Sequence, residues 1–251
     1  MITLQVLSQH LEDLLTPSNF NDYCPNGVQV EGKKEIRSLA FAVSASQAAI
    51  EQAVAKKADA LIAHHGMFWQ KDPYPIVGIK KNKLDLLLKH QMSLLAYHLP
   101  LDAHQEVGNN WKAARDLHMK DLKPFFPLDK GWLGVKGAVP SLPVEDFKRQ
   151  LEAYYGHPAH CALGGPEKIH SAAIISGGAH RSIDRAIQEG VDCFITGSFD
   201  EPIWDIAHEQ KIHFFALGHY ATERVGVLAL MKHLQQQFNL SCSFIELPNP
   251  F

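Results

Sequence analysis

Cysteine is scarce in this chain, and the cysteines show no paired spacing. Cys24, Cys161, Cys193 and Cys242 lie far apart, and none belongs to a C-x-x-C pair. Zinc ribbons and thioredoxin-like redox sites need such pairs, so the sequence argues against both kinds of site. Scattered cysteines without a disulfide framework are typical of a reducing compartment, and we therefore expect a cytoplasmic protein.

Long apolar runs and an excess of positive charge are also missing. A membrane-spanning helix needs about 18 consecutive apolar residues, whereas residues 1–15 intersperse leucines with polar residues, as in an amphipathic surface helix. The formal net charge of -3 is spread over both signs, while a nucleic-acid-binding surface is basic. The sequence therefore predicts neither a membrane nor a nucleic acid as a partner.

Two segments of the chain share one layout. Residues 39–65 and 172–198 align at a shift of 133 positions, and Asp59 falls on Asp192. Each segment has an apolar strand, a turn with small residues, a helix with one apolar stripe and a second apolar strand. This pattern is typical of a βαβ unit in a parallel sheet. With 251 residues, of which 46% are hydrophobic, the chain is long enough for two such lobes.

A second match extends the repeat. The strings SLLAYHLPLD and FFALGHYATE align at a shift of 121 positions, which places His98 on His219 and Asp102 on Glu223. The alternative is that apolar strands of unrelated α/β units resemble one another by chance. Because both strings contain a His-x-x-x-acid spacing, we favour an internal duplication.

A stretch rich in proline and glycine, residues 122–143, is a candidate boundary between the lobes. We place the boundary near residue 125. The predicted fold class is α/β with two duplicated lobes. The first lobe comprises residues 1–125 plus 222–251, and the second comprises residues 126–221.

The strongest chemical signal is a pair of histidines at the end of a predicted strand, in the string DALIAHHGMFW. His64 and His65 would point to opposite faces of a regular strand, so both enter one site only where the pleat is lost, which Gly66 permits. Polar groups at the carboxyl ends of parallel strands commonly form the functional site. The alternative is a hydrogen-bonded strand end that binds no ligand.

Imidazole and carboxylate groups occur together after two further apolar runs. Asp102 follows the first run, and His219 and Glu223 follow the second. Neutral imidazole and carboxylate bind zinc, iron or manganese, and a carboxylate can bridge two ions. Together with the histidine pair, these residues suit two divalent metal ions per chain, of open identity.

Two of the neighbouring residues have a competing interpretation. Glu223 also fits a helix start in which Thr222 is the N-cap, although that leaves His219 unexplained. For His98 the case is weaker, because some of the 15 histidines of the chain must lie on the surface. We treat His98 as a candidate for supporting the metal ligands without binding the metal itself.

Two turn-like strings stay open at this point. The string DYCPNG indicates a tight turn, and a reactive Cys24 would additionally require a lowered thiol pKa. The string SGGAHRSI indicates a turn at Gly177 and Gly178, and the alternative is a phosphate bound on exposed backbone amides. A plain turn is favoured in both cases.

The strings DYCPNGVQVEG, AHHG, HLPLDAH and GHYATE occur in this order and together resemble the Nif-three-like family, whose members are often labelled GTP cyclohydrolase I type 2 homologues. The resemblance implies two intertwined, duplicated α/β lobes, a dinuclear metal site in the cleft between them and a ring-shaped homohexamer. Many members carry an acid directly after a TG string where this chain has Ser198, so a supporting role for an acid there is open. The implied metal ligands are His64, His65, Asp102, His219 and Glu223.

These features predict a metal-dependent hydrolase. Two ions about 3.5–4 Å apart activate a water molecule and stabilise the charge that develops as a substrate is attacked. The substrate implied by the resemblance is a nucleotide-like or phosphorylated small molecule. The alternative is a metal-loaded structural or regulatory binding module without turnover, whose metal positions would be closed by protein ligands.

Overall fold

The computed structural model describes residues 1–247 and 249–251. These residues form a mixed α/β fold and divide into two units. The first unit comprises Met1–Leu101 and Val227–Pro248, and the second comprises Asp102–Gly226 and Asn249–Phe251.

Strands and helices alternate along most of the described chain. The strands are β1 (Ile2–Thr3), β2 (Gly27–Val30), β3 (Glu35–Ile36), β4 (Ser38–Ser44), β5 (Ala60–His65), β6 (Ser93–Ala96), β7 (Lys120–Pro127), β8 (Trp132–Pro143), β9 (His160–Leu163), β10 (Lys168–Ile174), β11 (Cys193–Thr196), β12 (His213–Ala216) and β13 (Ser241–Phe244). The helices are α1 (Leu4–Leu15), α2 (Gln47–Ala55), α3 (Gly78–Lys89), α4 (Leu99–Ala103), α5 (Asn109–Asp116), α6 (Val144–Tyr155), α7 (Ile183–Gln188), α8 (Pro202–Glu209) and α9 (His219–Phe238).

Each unit is built around a sheet with a parallel centre. In the first unit the strand order is β13-β4-β5-β6-β2, and only the pairing of β2 with β6 is antiparallel among the described strands of this sheet. In the second unit the order is β7-β8-β10-β11-β12-β9, with β10, β11 and β12 parallel. The central strands bury both faces, as parallel strands usually do: Ala172 and Ile174 of β10 pack in one apolar cluster, and Ala173 packs in another.

The amphipathic helix predicted at the start of the chain is confirmed as α1. Leu4, Leu7, Leu11 and Leu15 are buried at helical spacing. The side chain of Thr3 accepts a hydrogen bond from a backbone amide of the first turn, which caps the helix. Among the described residues, no helix has the length and apolar character needed to cross a membrane.

The internal repeat predicted from the sequence is present in the hydrogen bonds of the two units. In the first unit, the carboxylate of Asp59 accepts bonds from the backbone amides of Arg37 (2.6 Å) and Ser38 (3.0 Å). In the second, Asp192 accepts equivalent bonds of 2.8 and 3.0 Å from the amides 133 positions further along the chain. Both carboxylates therefore satisfy amide groups at the start of a central strand.

The strand register corrects one part of the predicted repeat. The pairings of β5 with β6 and of β11 with β12 make Ser93 equivalent to His213, which is a shift of 120 positions and not the predicted 121. His98 and His219 therefore occupy neighbouring, not equivalent, positions after their strands. The sequence alignment was wrong by one residue because it matched a His-x-x-x-acid spacing, which is a helical i,i+4 spacing and is independent of strand register.

The stretch predicted to link the lobes is a hairpin inside the second unit. β7 pairs antiparallel with β8, and the chain enters the second unit at Asp102, before the predicted boundary near 125. It returns to the first unit after Gly226, whereas the sequence placed this point at 222. Pro124 and Pro127 fit a strand here because β7 lies at the edge of its sheet, where a missing amide donor is tolerated.

Candidate metal centre

The two histidines at the end of β5 are each held through one ring nitrogen. Nδ1 of His64 lies 3.0 Å from the carbonyl oxygen of Tyr97, and Nδ1 of His65 lies 2.9 Å from the hydroxyl of Ser44. Because a carbonyl only accepts hydrogen bonds, Nδ1 of His64 is the donor in this contact, and Nε2 is the nitrogen with which the ring would bind a metal. Metal-ligating histidines are oriented in this way by the partners of their other nitrogen.

His98 lies beside this pair. Its ring centroid is 5.0 Å from that of His64 and 5.7 Å from that of His65. Each of the three rings offers a nitrogen, and these nitrogens lie within 4.8 Å of one another. Three clustered imidazoles could hold a divalent metal ion. That His98 supports the ligands rather than binding metal stays a prediction.

Asp22, which the sequence did not single out, orients His98. Its side chain is 2% exposed, and Oδ1 lies 2.9 Å from Nδ1 of His98. The carboxylate also accepts hydrogen bonds from the amides of Cys24 (3.0 Å) and Leu99 (2.9 Å) and from the side chain of Asn26 (3.0 Å). Burial acts to raise the pKa of Asp22, but the interaction with His98 and the other donors outweigh it and hold the pKa below its usual value.

The string DYCPNG is a structural turn. Burial raises the pKa of Cys24 to about 11, which is the opposite of what a reactive thiolate needs. The turn connects to the loop after β5 through Gln29, which donates to the carbonyl of Pro25 (2.8 Å) and accepts from the amide of Met67 (2.9 Å). Gly66 leaves room for the side-chain amide of Gln29, which a Cβ at that position would displace.

Asp102 is fixed by two hydrogen bonds to one carboxylate oxygen. The side chains of Asn109 and Ser176 both donate to Oδ1 at 2.8 Å. Asp102 lies on α4 and is 5% exposed. A buried carboxylate needs such donors, and carboxylates that bind metals are oriented by them.

His219 and Glu223 lie one turn apart at the start of α9. Nε2 of His219 is 3.1 Å from Oε1 of Glu223, and Glu223 is buried. The competing helix-start interpretation is wrong, because α9 begins at His219, so Thr222 is not an N-cap. The hydroxyl of Thr222 instead donates to the carbonyl of Gly218 (2.9 Å) and accepts from the amide of Gly177 (3.0 Å).

The string SGGAHRSI lies against these two ligand candidates. Gly177 has φ +67°, and a Cβ there would clash with Oε1 of Glu223. A Cβ on Gly178 would lie 3.4 Å from the ring of His219. Gly177 therefore allows the backbone to approach Glu223, an explanation that the sequence did not offer, whereas a Cβ on Gly178 would make only an ordinary contact with His219.

Ser198 occupies the position at which relatives were expected to carry an acid. Its hydroxyl lies 3.5 Å from Nδ1 of His219, at the outer limit of a hydrogen bond. The nearby Asp200 lies 3.7 Å from Nε2 of His180 and 3.9 Å from Arg181. In this chain a hydroxyl group therefore occupies the position directly after the TG string, where relatives were expected to carry an acid.

Sequence reasoning missed the residues that orient the candidate ligands. They lie 7 to 76 positions from the groups they hold, so no string contains such a residue together with its partner, although Asp22 begins the string DYCPNG and Ser176 begins the string SGGAHRSI. One of them could have been found: Ser44 ends the strand that precedes the histidine strand in the predicted βαβ unit, and neighbouring parallel strands end side by side. The missed residues are Asp22, Ser44, Asn109 and Ser176.

A family model described as Duf34/NIF3 (NGG1p interacting factor 3) matches residues 2–250. The chain belongs to the Duf34/NIF3 family. It is 48% identical over 247 residues to a Chlamydia pneumoniae protein, covering 98% of each chain. It is 41% identical over 248 residues to an Escherichia coli (strain K12) protein, covering 97% of this chain and 98% of the other. Both relatives bear the name GTP cyclohydrolase 1 type 2 homolog.

The structure is also similar to that of protein ybgI, whose function is unknown. The TM-score is 0.94, the sequences are 38% identical, and 100% of each chain is covered. The predicted resemblance to the Nif-three-like family is therefore confirmed over nearly the whole chain. The α/β fold class is confirmed with it.

Proposed function

We propose that this Duf34/NIF3 protein binds two divalent metal ions and uses them to hydrolyse a nucleotide-like or phosphorylated small molecule. One observation carries the proposal: His64, His65 and Asp102 are each held by a partner on one of their two candidate ligand atoms, which orients the other. The proposed ligands are His64, His65, Asp102, His219 and Glu223.

The donor chemistry supports a metal. Three imidazoles and two carboxylates form a mixed nitrogen and oxygen set that suits zinc, iron and manganese. Nδ1 of His64 and of His65 is engaged by a carbonyl and a hydroxyl, which leaves Nε2 as the ligating nitrogen of each. Two neutral donors fix Oδ1 of Asp102, and this favours Oδ2 as its ligating oxygen.

Glu223 is the best candidate for a carboxylate that bridges two ions. It is 3% exposed, and the backbone at Gly177 lies against its carboxylate. A bridging carboxylate needs a fixed position, and contact with backbone fixes it more firmly than contact with a long side chain would. His219, one turn earlier on α9, then serves as a terminal ligand.

When bound, such ions supply Lewis acidity and an activated water for hydrolysis. The residues of the chain position the ligands: Asp22 holds His98 beside the histidine pair, and Ser176 and Asn109 hold Asp102. A nucleotide is the first substrate to test because two relatives are named as homologues of a GTP cyclohydrolase.

We also propose a homohexamer that works in the cytoplasm. Light scattering that finds only a 28.0 kDa species would refute the hexamer.

The test is a screen of metal-loaded protein, purified without oxygen, against GTP, other nucleotides and simple phosphoesters. We expect turnover that His65→Ala and His219→Ala abolish, with circular dichroism unchanged. Glu201→Ala is the matched control, because Glu201 is an exposed acid that is not among the proposed ligands. Turnover by the histidine variants at the wild-type rate, with no metal bound, would show that the activity belongs elsewhere.

A further inference from the structure

The second unit contains a cavity of about 430 Å³ next to one of the proposed ligands. This volume lies within the range of small-molecule sites. The hydroxyl of Ser198 belongs to the cavity wall and lies 3.5 Å from Nδ1 of His219. Its lining includes His157, His160, Ser198, Phe199, Gly218 and Phe251.

The walls combine aromatic faces with small residues. Phe199 packs edge-on against Phe214 at a centroid distance of 5.5 Å, which fixes its ring, and it is only half-buried. Gly218 has φ +86°, and a Cβ there would lie 2.9 Å from the ring of His157. A larger side chain at Gly218 is thus excluded, and this part of the wall lies beside aromatic rings.

The remaining wall is anchored by backbone. Nε2 of His157 lies 3.1 Å from the carbonyl oxygen of Pro250, and the amide of Tyr220 donates to the carbonyl of Phe251 at 3.1 Å. Phe251 is 80% exposed and lines the cavity, so its side chain is accessible to a ligand. Ser198, His157 and His160 contribute polar side chains to the lining of the cavity.

We propose that this cavity is the subsite for a planar nitrogen heterocycle of nucleobase size, carried by the substrate of the adjacent centre. The inference rests on the proposed function, because the cavity is linked to the proposed metal centre through Ser198, which lies beside the proposed ligand His219. Every nucleobase presents a π-face that stacks on an aromatic ring, and its edge presents donors and acceptors for groups such as Ser198 and His160. An aliphatic phosphate ester could accept hydrogen bonds from these groups but has no π-face to stack on the aromatic rings.

The test measures guanosine binding by calorimetry, with metal-loaded and metal-free protein. Phe199→Ala and Phe251→Ala each remove one aromatic face, and we expect each to weaken binding by at least about fivefold, the lower end of base stacking on an aromatic side chain. Trp132→Ala is the control, since it removes a partly exposed aromatic of the same unit that lies outside the cavity. Because Phe251 is exposed, we expect Phe251→Ala to leave the fold intact.

The outcomes separate this inference from the proposed function. Guanosine binding that both variants weaken, and the control does not, supports the subsite even if the protein hydrolyses nothing. Wild-type protein that hydrolyses tripolyphosphate but does not bind guanosine would overturn the subsite and leave the hydrolase proposal standing. Guanosine binding that neither variant changes would also overturn it.

Discussion

The ends of β5 and β11 occupy the same position in their units and carry different chemistry. The shift of 133 positions that relates Asp59 to Asp192 makes His64 and His65 equivalent to Gly197 and Ser198. In the first unit the strand end provides two imidazoles. In the second unit it provides a glycine and a hydroxyl.

The difference shows how one βαβ layout supports two arrangements of donors. A Cβ on Gly197 would lie 2.7 Å from Cα of His219, so the absence of a side chain there makes room for the start of α9. At the position equivalent to Ser44, which holds His65, the second unit has Gly177, which lies against Glu223. The first unit thus carries its proposed ligands at a strand end, and the second carries them on two helices, α4 and α9.

The largest expected effect is a difference in metal content between variants at the two equivalent strand ends. We predict that His65→Ala lowers the bound metal by at least one ion per chain, because it removes a proposed ligand. Ser198→Ala, at the equivalent position, should leave the metal content unchanged. Elemental analysis of both variants, purified in parallel, measures this, and equal losses would show that the strand ends do not differ as described.

The next prediction concerns the glycine that replaces Ser44 in the second unit. Gly177→Ala should lower the free energy of unfolding more than Gly190→Ala, by about 1–3 kcal/mol, the usual cost of overpacking. Gly190 is a matched control because its φ of +66° is nearly that of Gly177, at +67°, while a Cβ there meets nothing within 4 Å. Equal changes in chemical denaturation would mean that only backbone strain matters at both positions.

The shared carboxylates should behave alike at neutral pH. Asp59→Asn and Asp192→Asn should each cost about 1.5–3 kcal/mol at pH 7, the usual contribution of hydrogen bonds to a charged group. Denaturation of the two variants beside wild type measures this. A cost for only one of them would break the equivalence.

Asp59 adds a pH dependence. Burial acts to raise the pKa of Asp59, but Lys33 and the two backbone amides outweigh it and lower the pKa. Because the folded pKa lies below the unfolded value, the stabilisation is complete above about pH 4 and is lost as pH falls through the folded pKa. The difference between wild type and Asp59→Asn should therefore shrink in acid, and a difference that grows there would contradict this sign.

The smallest expected effect is a change in the rate of metal loss when Ser198 is replaced by an acid. Ser198→Asp would place a carboxylate beside Nδ1 of His219, and such partners raise metal affinity by about tenfold or more. We expect slower loss of metal to a chelator than in wild type. Faster loss would show that the hydroxyl at this position is not a weaker substitute for an acid.

Local patterns in the sequence predicted the α/β class, which is confirmed, and they named the ligand candidates, whose metal binding stays a prediction. The histidine pair follows one apolar strand, and the repeat of Asp59 at Asp192 survives as an identical residue in an identical role. The features that the sequence did not predict depend on how strands far apart in the chain pair with one another. Proline and glycine in residues 122–143 look the same in a linker and in an edge hairpin, and the true shift of β12 is visible only in its register with β11.

The metal content of the purified wild-type chain tests the central claim most directly. Elemental analysis of protein never exposed to a chelator should find close to two transition-metal ions per chain. Glu223→Ala should lose most of this metal, because it removes the proposed bridge, and Glu201→Ala should keep it. A wild-type value near zero, or equal losses in the two glutamate variants, would contradict the account.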